Sequence, residues 1–477
     1  MNSKNCYVLC IEDEEEIRSY LKSVISEISC KTRITFAKSK DEAISLLESG
    51  LFFDYITLDL TIPITEGSFE KSSKNGLAVL GTAKVLCPGA PVLILTGTST
   101  VRMIGDFLNT SNNVDIWSEG CSRPTVAHLE KADLVELSDH IKPCLTSILR
   151  LKEIELSHSF DALPIAHDRL IRIFAKKRGA SVVRVKEIGG GYSDAKVYLL
   201  ALKDQRGVEL HSCIAKCGKR VDIDTDSKNF NESVSRLKPS ATPRQIDHLR
   251  FGAANFSAVF YGLAKEYPYS FFSASERGLT KDEMRQSLVK IMSDWHANFV
   301  EDRKQIKEIR RSFVSDTKAQ DLIATYELSD ALDFENRYVQ CKVSCIHGDL
   351  HGENVLVDTE NNLATLIDYG DVKNECSIID PLTLECSFLF HSSSPKSDWP
   401  SQDNLNNWHV LDKYLLGCPY PDDIRFCRDW LQDIGVGNRE LAACLYAYAL
   451  RQLKYDDVEK ERALTLINVA FELFDRS

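Results

Sequence analysis

Short apolar runs alternate with amphipathic stretches over the first third of the chain. Residues 6–12 (Cys-Tyr-Val-Leu-Cys-Ile-Glu) form an apolar run that ends in acid, and residues 14–28 follow with Ile17, Leu21, Val24, Ile25 and Ile28 at helical spacing. Further apolar runs at 53–59 and 91–96 predict strands, and 40–48 and 76–86 predict helices between them. Successive strands separated by helices need crossover connections, so this part predicts an α/β domain with a doubly wound parallel sheet. A charged helical stretch around 130–157 leads into a different pattern. The runs at 181–187, 195–202 and 211–216 lie close together, which predicts an antiparallel sheet with a glycine turn between the first two, and 257–263 predicts one more strand. From about residue 280 helical periodicity dominates, as in Met284–Phe299 and Glu440–Leu453, and the Ser- and Pro-rich segment Ser392–Gln402 predicts an exposed loop.

Composition narrows the class. A chain of 477 residues exceeds what one hydrophobic core organises, so several domains are expected. With 27% charged and 43% apolar residues it has the balance of an ordinary globular protein. A net charge of −12 gives no overall attraction to nucleic acid or anionic lipid, and neither is expected as a partner. No apolar run approaches the ~20 residues that span a bilayer, and the first residues lack the pattern of a signal peptide, so a cytoplasmic protein is expected. The fifteen cysteines are scattered without a CxxC pair; the closest (Cys6/Cys10, Cys213/Cys217, Cys341/Cys345) sit in or beside strand-like runs, where thiols are expected to act as small hydrophobes.

Candidate chemistry appears first in the C-terminal half. Phosphoryl transfer from ATP needs divalent metal to spread phosphate charge, a carboxylate to orient or deprotonate the acceptor, and a cation on the α- and β-phosphates. An apolar run, Val343 to Ile346, enters the polar segment His347-Gly348-Asp349-Leu350-His351-Gly352-Glu353-Asn354, and Val355-Leu356-Val357 leaves it. The run Leu363 to Ile367 delivers Asp368 after the turn signal 358–362, so a hairpin can return Asp368 beside Asn354. These segments, with Ile367-Asp368-Tyr369-Gly370, resemble the catalytic and metal-binding motifs of the aminoglycoside and choline phosphotransferase branch of the kinase-like fold. The resemblance implies a two-lobed α+β domain that uses ATP and Mg²⁺, with Asp349 as catalytic base, Asn354 and Asp368 as metal ligands, and His347 and His351 as loop supports. By the same resemblance Gly189, Gly190 and Gly191 form the phosphate-covering loop, with Asp194 where protein kinases carry a third glycine. Lys216 is then the phosphate-binding lysine and Glu232 its ion-pair partner, while Asp380 braces the loop or caps the next helix.

A second constellation lies in residues 1–145: Glu12 and Asp13 after the first strand, Asp59 and Thr96 after later ones, and Lys131 beyond. Strand ends gather such groups on one edge of a parallel sheet, and clustered carboxylates repel one another unless Mg²⁺ joins them. The set, with Leu58-Asp59-Leu60-Thr61-Ile62-Pro63, resembles the receiver domain of two-component response regulators. The resemblance implies Asp59 as phosphoacceptor, Glu12, Asp13 and Asp59 as Mg²⁺ ligands, and Thr96 and Lys131 as switch residues. Four departures mark this chain: extra polar sequence between Pro63 and Gly76, a long interval from Thr96 to Lys131, Ala132 in place of the customary proline, and His128 where an aromatic residue is common.

The sequence thus predicts a receiver domain over 1–150, a kinase-like N-lobe over 160–265 and a helical C-lobe with the catalytic loop over 266–477. The expected function is ATP-dependent phosphotransfer to a hydroxyl acceptor, small molecule or protein, under control of Asp59. The alternative is a nucleotide-binding pseudokinase acting as a signalling scaffold. Expected partners are an upstream phosphodonor such as a sensor histidine kinase and a second copy bound through the receiver.

Overall fold

The computed structural model describes residues 5–97, 105, 112–160, 162–188, 195–237, 242–262 and 267–477. They divide into two compact units. The first comprises 1–188, 193–224 and 245–262, and the second 189–192, 225–244 and 263–477.

The first unit opens with β1 (Cys6–Ile11), α1 (Glu15–Ile28), β2 (Thr32–Ala37), α2 (Lys40–Glu48), β3 (Tyr55–Asp59), α3 (Ser73–Leu86), β4 (Val92–Thr96), β5 (Val126–Glu130) and α4 (Leu137–Arg150). The five strands are parallel in the order β2-β1-β3-β4-β5, the flavodoxin-like doubly wound order. All residues of β3 and β4 are buried, as central strands covered on both faces require. Helix α1 turns Leu21, Val24 and Ile25 inward, and Ser39 caps α2 by accepting from the Glu42 amide.

A second sheet follows in the same unit. It contains β6 (Glu155–His158), β7 (Val182–Ile188), β8 (Lys196–Lys203), β9 (Glu209–Lys219), β10 (Arg244–Leu249) and β11 (Phe256–Gly262), in the order β6-β7-β8-β9-β11-β10. Helix α5 (Ile165–Lys177) covers it, with Phe174 stacked on Phe260 at 3.8 Å. The helical stretch expected over 130–157 is interrupted: a 3-10 segment precedes α4, which stops at Arg150, and Glu155–His158 pairs in parallel with Val182–Val185.

The two sheets share one hydrophobic cluster. It runs from Leu9, Phe53 and Ala90 to Leu170, Phe174 and Phe260 without a break. Gly89 N–H donates to Ala254 O and Gly252 N–H to Gly89 O, both at 2.8 Å. At the centre, fully buried Arg169 of α5 donates through Nε to Asp54 Oδ1 at 2.8 Å, and Asp54 Oδ2 also accepts from the Tyr7 amide at 2.8 Å. Asp54 and Gly89 both lie just before a parallel strand, so the joint sits at the N-terminal ends of the sheet's strands.

The long interval before Lys131 has a structural role here. A hairpin of Asn113–Val114 with Arg123–Pro124 places Ile116 and Trp117 in a second cluster with Leu93, Leu145 and Ile173. Glu119 from this segment binds Lys176 of α5 at 2.7 Å and Ser147 of α4.

The second unit carries α7 (Asp282–His296), the antiparallel sheet β12 (Val300–Gln305), β13 (Tyr338–Ile346) and β16 (Lys373–Cys376), and the hairpin β14 (Val355–Asp358) with β15 (Leu363–Leu366). Helices α8 (Ile379–Phe390), α9 (Pro421–Ile434), α10 (Asn438–Gln452) and α11 (Lys460–Asp475) complete it, with α10 packed on α11 and α8 on α9. Helix α6 (Arg220–Glu232) crosses the boundary between the units. The helix expected over Met284–Phe299 ends at His296, because 300–305 pairs with 338–343 as an edge strand. The segment expected to be an exposed loop is only partly so: Ser392 and Ser393 are exposed, but Trp399 is buried and its indole N–H donates to Tyr414 O at 2.9 Å.

Candidate functional site

The N-terminal constellation assembles at the C-terminal ends of the parallel strands. Glu12 follows β1, Asp59 ends β3 opposite Leu95, and Thr96 ends β4 opposite Glu130, the residue before Lys131. Lys131 Nζ lies 2.8 Å from Asp59 Oδ2, 3.1 Å from Glu12 Oε2 and 3.4 Å from Glu14 Oε1. Burial, then the charge of Asp59, pushes the Glu12 carboxyl up to about 7, with Lys131 opposing. Burial works against the Lys131 ammonium, but Asp59 and Glu12 outweigh it and raise its pKa above the ordinary value.

This site suits a hard divalent cation. Glu12, Asp13, Glu14 and Asp59 each bring one oxygen within 4.8 Å of the others, and Asp13 Oδ1 is buried without a hydrogen-bond partner. Four carboxylates against Lys131 and Lys71 leave negative charge that oxygen-ligated Mg²⁺ would neutralise. Lys71 was not foreseen. The extra sequence after Pro63 forms a small hairpin, Ile62–Pro63 with Lys71–Ser72, that sets Lys71 Nζ 2.6 Å from Asp13 Oδ2.

In the second unit, β13 feeds the loop of Asp349. The His347 and Gly348 amides donate to Asp380 Oδ2 and Oδ1 at 2.7 and 2.9 Å, so Asp380 braces this turn. His347 is fully buried with Nε2 3.0 Å from Ile367 O, which makes it a strut between loop and hairpin. Gly348 has φ +83°, and a Cβ there would lie 2.3 Å from the Asp371 carbonyl oxygen. Gly348→Ala should therefore displace the loop and cost about 1–3 kcal/mol, measurable as a lower chemical-unfolding midpoint. A midpoint within error of the parent's would contradict that packing.

Asp349 is held rather than free. Its Oδ1 accepts from Arg451 of α10 at 3.0 Å, and its Oδ2 lies 3.7 Å from His351 Nε2. Burial would raise its carboxyl, yet Arg451, His351 and His347 hold it down to about 2. Burial lowers the His351 imidazole, with Asp349 opposing. Asn354 donates its amide to Asp349 O at 2.9 Å, which turns its carbonyl oxygen elsewhere. Val355 pairs with Leu366 and Ile367 N–H donates to Asn354 O at 3.0 Å, so the hairpin returns Asp368 next to Asn354. Asp368 sits at φ +66°, and Asn229 Nδ2 holds the following turn through Tyr369 O and Gly370 O. The Asn354 side-chain carbonyl and the Asp368 carboxylate, carried at the two ends of this hairpin, are oxygen donors of the kind that Mg²⁺ takes.

The remaining predicted residues fall elsewhere. Lys216 lies in β9 between Val197 and Val259 and is 7% exposed, a burial that a lysine tolerates only with partners. Glu232 is exposed and 3.9 Å from Lys228 one turn back. The buried carboxylate of α6 is Asp226, six residues earlier and across the helix, so Glu232 is on the solvent side. Gly189, Gly190 and Gly191, with Asp194, lie outside the described residues. Arg451 was not foreseen either, since its approach to Asp349 joins positions 102 apart.

No known protein-family description matches the chain, and no curated protein does. Solved structures do match over about a third of it. A response regulator receiver protein from Sinorhizobium medicae is 17% identical over 31% of this chain and 98% of its own, with a TM-score of 0.22. A response regulator receiver domain protein from Clostridium thermocellum gives 16%, 31%, 96% and 0.23. The signal receiver domain of an HD domain-containing protein from Pseudomonas fluorescens gives 18%, 30%, 97% and 0.23. The fold of the first domain is established by its own strand order, independently of these scores.

Proposed function

We propose that this chain is an ATP-dependent phosphotransferase of kinase-like type, controlled by a phosphoacceptor receiver. The observation that carries the reading is the Asp349 loop: a charged carboxylate on a loop braced by Asp380 and His347, followed by a hairpin with Asn354 and Asp368 at its two ends. ATP with Mg²⁺ would supply the transferable phosphoryl group and the charge neutralisation. Asn354 and Asp368 are the residues to hold the metal. Asp349 orients the acceptor hydroxyl and takes its hydrogen bond, with Arg451 fixing the carboxylate plane.

The acceptor is a hydroxyl of a small molecule or a protein. Incubation with a metabolite extract, ATP and Mg²⁺ tests this as a mass gain of one phosphate, with Asp349→Ala as control. The alternative, a nucleotide-binding pseudokinase scaffold, draws on one observation: Arg451 already occupies Asp349 Oδ1. Binding of ATP without transfer to anything would favour it.

The depressed Asp349 pKa sets a pH expectation. Because the folded value of about 2 lies below the ordinary aspartate range, the carboxylate is charged at every pH above about 4, and its pairing is lost only as pH falls toward 2. The kcat/KM profile should therefore show no acidic limb from Asp349 between about pH 4.5 and 8. A limb near pH 6 that vanishes in Asp349→Asn would contradict this.

Regulation is proposed to run through β3. Asp59 ends that strand and Asp54 immediately precedes it, bound to Arg169 in the joint with the second sheet. Phosphorylation of Asp59 by an upstream kinase or small phosphodonor would alter the site around Lys131, and β3 carries the change to the joint. Comparing ATP turnover with and without beryllofluoride tests the coupling; identical rates, affinities and assembly state would refute it.

A further inference from the structure

Three side chains of metal-ligating type, with a fourth beside them, converge in the second unit. Cys341 lies in β13, Cys376 ends β16, and Glu440 and Cys444 stand one turn apart on α10. None is more than 1% exposed. The Cys341 and Cys376 sulfurs and a Glu440 carboxylate oxygen all lie within 4.8 Å of one another. The Cys376 thiol also interacts with that of Cys444. Nothing in the sequence spacing announces the group, because its members come from segments spread over 341–444.

Buried thiols pack as small hydrophobes, whereas a buried carboxylate must be held by hydrogen bonds or charge. Glu440 is fixed from outside the cluster: Oε1 accepts from the Lys342 amide at 3.2 Å and Oε2 from the Val436 amide at 2.7 Å. Metal-ligating carboxylates are commonly oriented by such outer hydrogen bonds, which still leave lone pairs for a metal. Two sulfurs and one oxygen from two strands and one helix make a three-donor set, and Cys444, one turn along α10 from Glu440, is the residue placed to complete the four donors that structural zinc takes. Soft sulfur donors discriminate against Mg²⁺ and Ca²⁺. Lys304, which binds Glu375 beside Cys376, lies close enough to add positive charge to the surroundings.

We propose that Cys341, Cys376, Cys444 and Glu440 form a structural site for a zinc-class divalent cation that ties α10 to the β13–β16 sheet. On binding, the three thiols release their protons to solvent and the metal takes the thiolate lone pairs. The site also bears on α10 as the helix that presents Arg451 to Asp349.

Metal analysis of the full-length chain, purified without chelator, tests this. The expected result is about one zinc per chain, falling at least tenfold in Cys376→Ser and in Glu440→Gln. Cobalt(II) added to metal-stripped wild-type protein should give near-ultraviolet thiolate-to-cobalt absorption, a readout that needs no variant to fold. The proposal is overturned if folded wild-type protein carries no zinc and gives no such band. It is equally overturned if peptide mapping of the native protein finds Cys376 in a disulfide with Cys341 or Cys444.

Discussion

Arg169→Ala should destabilise the first unit by about 3–5 kcal/mol, because it leaves the Asp54 carboxylate buried without its counter-charge. Arg169 is fully buried and Asp54 nearly so, at the base of the sheet. Arg169 also donates to the Asn5 carbonyl, so truncation orphans a second acceptor. For a unit of this size the loss corresponds to a drop of roughly 10 °C in the first unfolding midpoint, readable by calorimetry. Asp54→Asn should cost less, since the amide keeps a hydrogen bond, and the double variant should be less destabilised than the sum of the singles. A loss under about 1 kcal/mol for Arg169→Ala would mean that the joint is not built on this pair.

Asp349→Asn should lower turnover by about 10²–10⁴-fold, equivalent to about 2.7–5.5 kcal/mol of transition-state stabilisation. The amide is isosteric and can keep one contact with its neighbours, so the loop should hold its shape. It no longer accepts the acceptor's proton or hydrogen bond as a carboxylate does. ATP affinity should be little changed, because the Asp349 carboxylate is paired with Arg451 and His351. Steady-state kinetics separates the two effects: kcat falls and the KM for ATP stays. Arg451→Met offers a second probe, since it frees Asp349 Oδ1 and removes the charge that holds the carboxyl down.

The parts of this molecule that were legible in the sequence are those where chemistry and chain direction coincide. Asp59, Thr96 and Lys131 each follow an apolar run, and parallel strands necessarily bring such ends to one edge. The hairpin between Asn354 and Asp368 was likewise readable, because a turn signal lies between two apolar runs. What escaped depends on long-range packing. Lys71 and Arg451 reach their carboxylates from a hairpin and a distant helix, and no local pattern marks either. Glu232 was misplaced for a geometric reason: the helix phase that buries Asp226 turns Glu232 outward. The strand at 155–158 looked like the end of a helix, since only pairing with Val182–Val185 distinguishes the two.

The departures from the receiver pattern acquire a reason in the same way. The long interval before Lys131 supplies Ile116, Trp117 and Glu119, which pack against α5 or its neighbours. The insertion after Pro63 supplies Lys71 to the acidic site. Both additions therefore sit where the domain meets something it must hold: the second sheet in one case, the carboxylate cluster in the other.

The central claim is phosphoryl transfer by the second unit's Asp349 loop. The most direct test incubates the full-length chain with γ-labelled ATP, Mg²⁺ and a metabolite and protein extract, and follows the label. The account predicts ADP formation matched by covalent label on a hydroxyl acceptor, lost in Asp349→Asn. Stoichiometric ATP binding with no label transferred to any acceptor, the chain itself included, would contradict it.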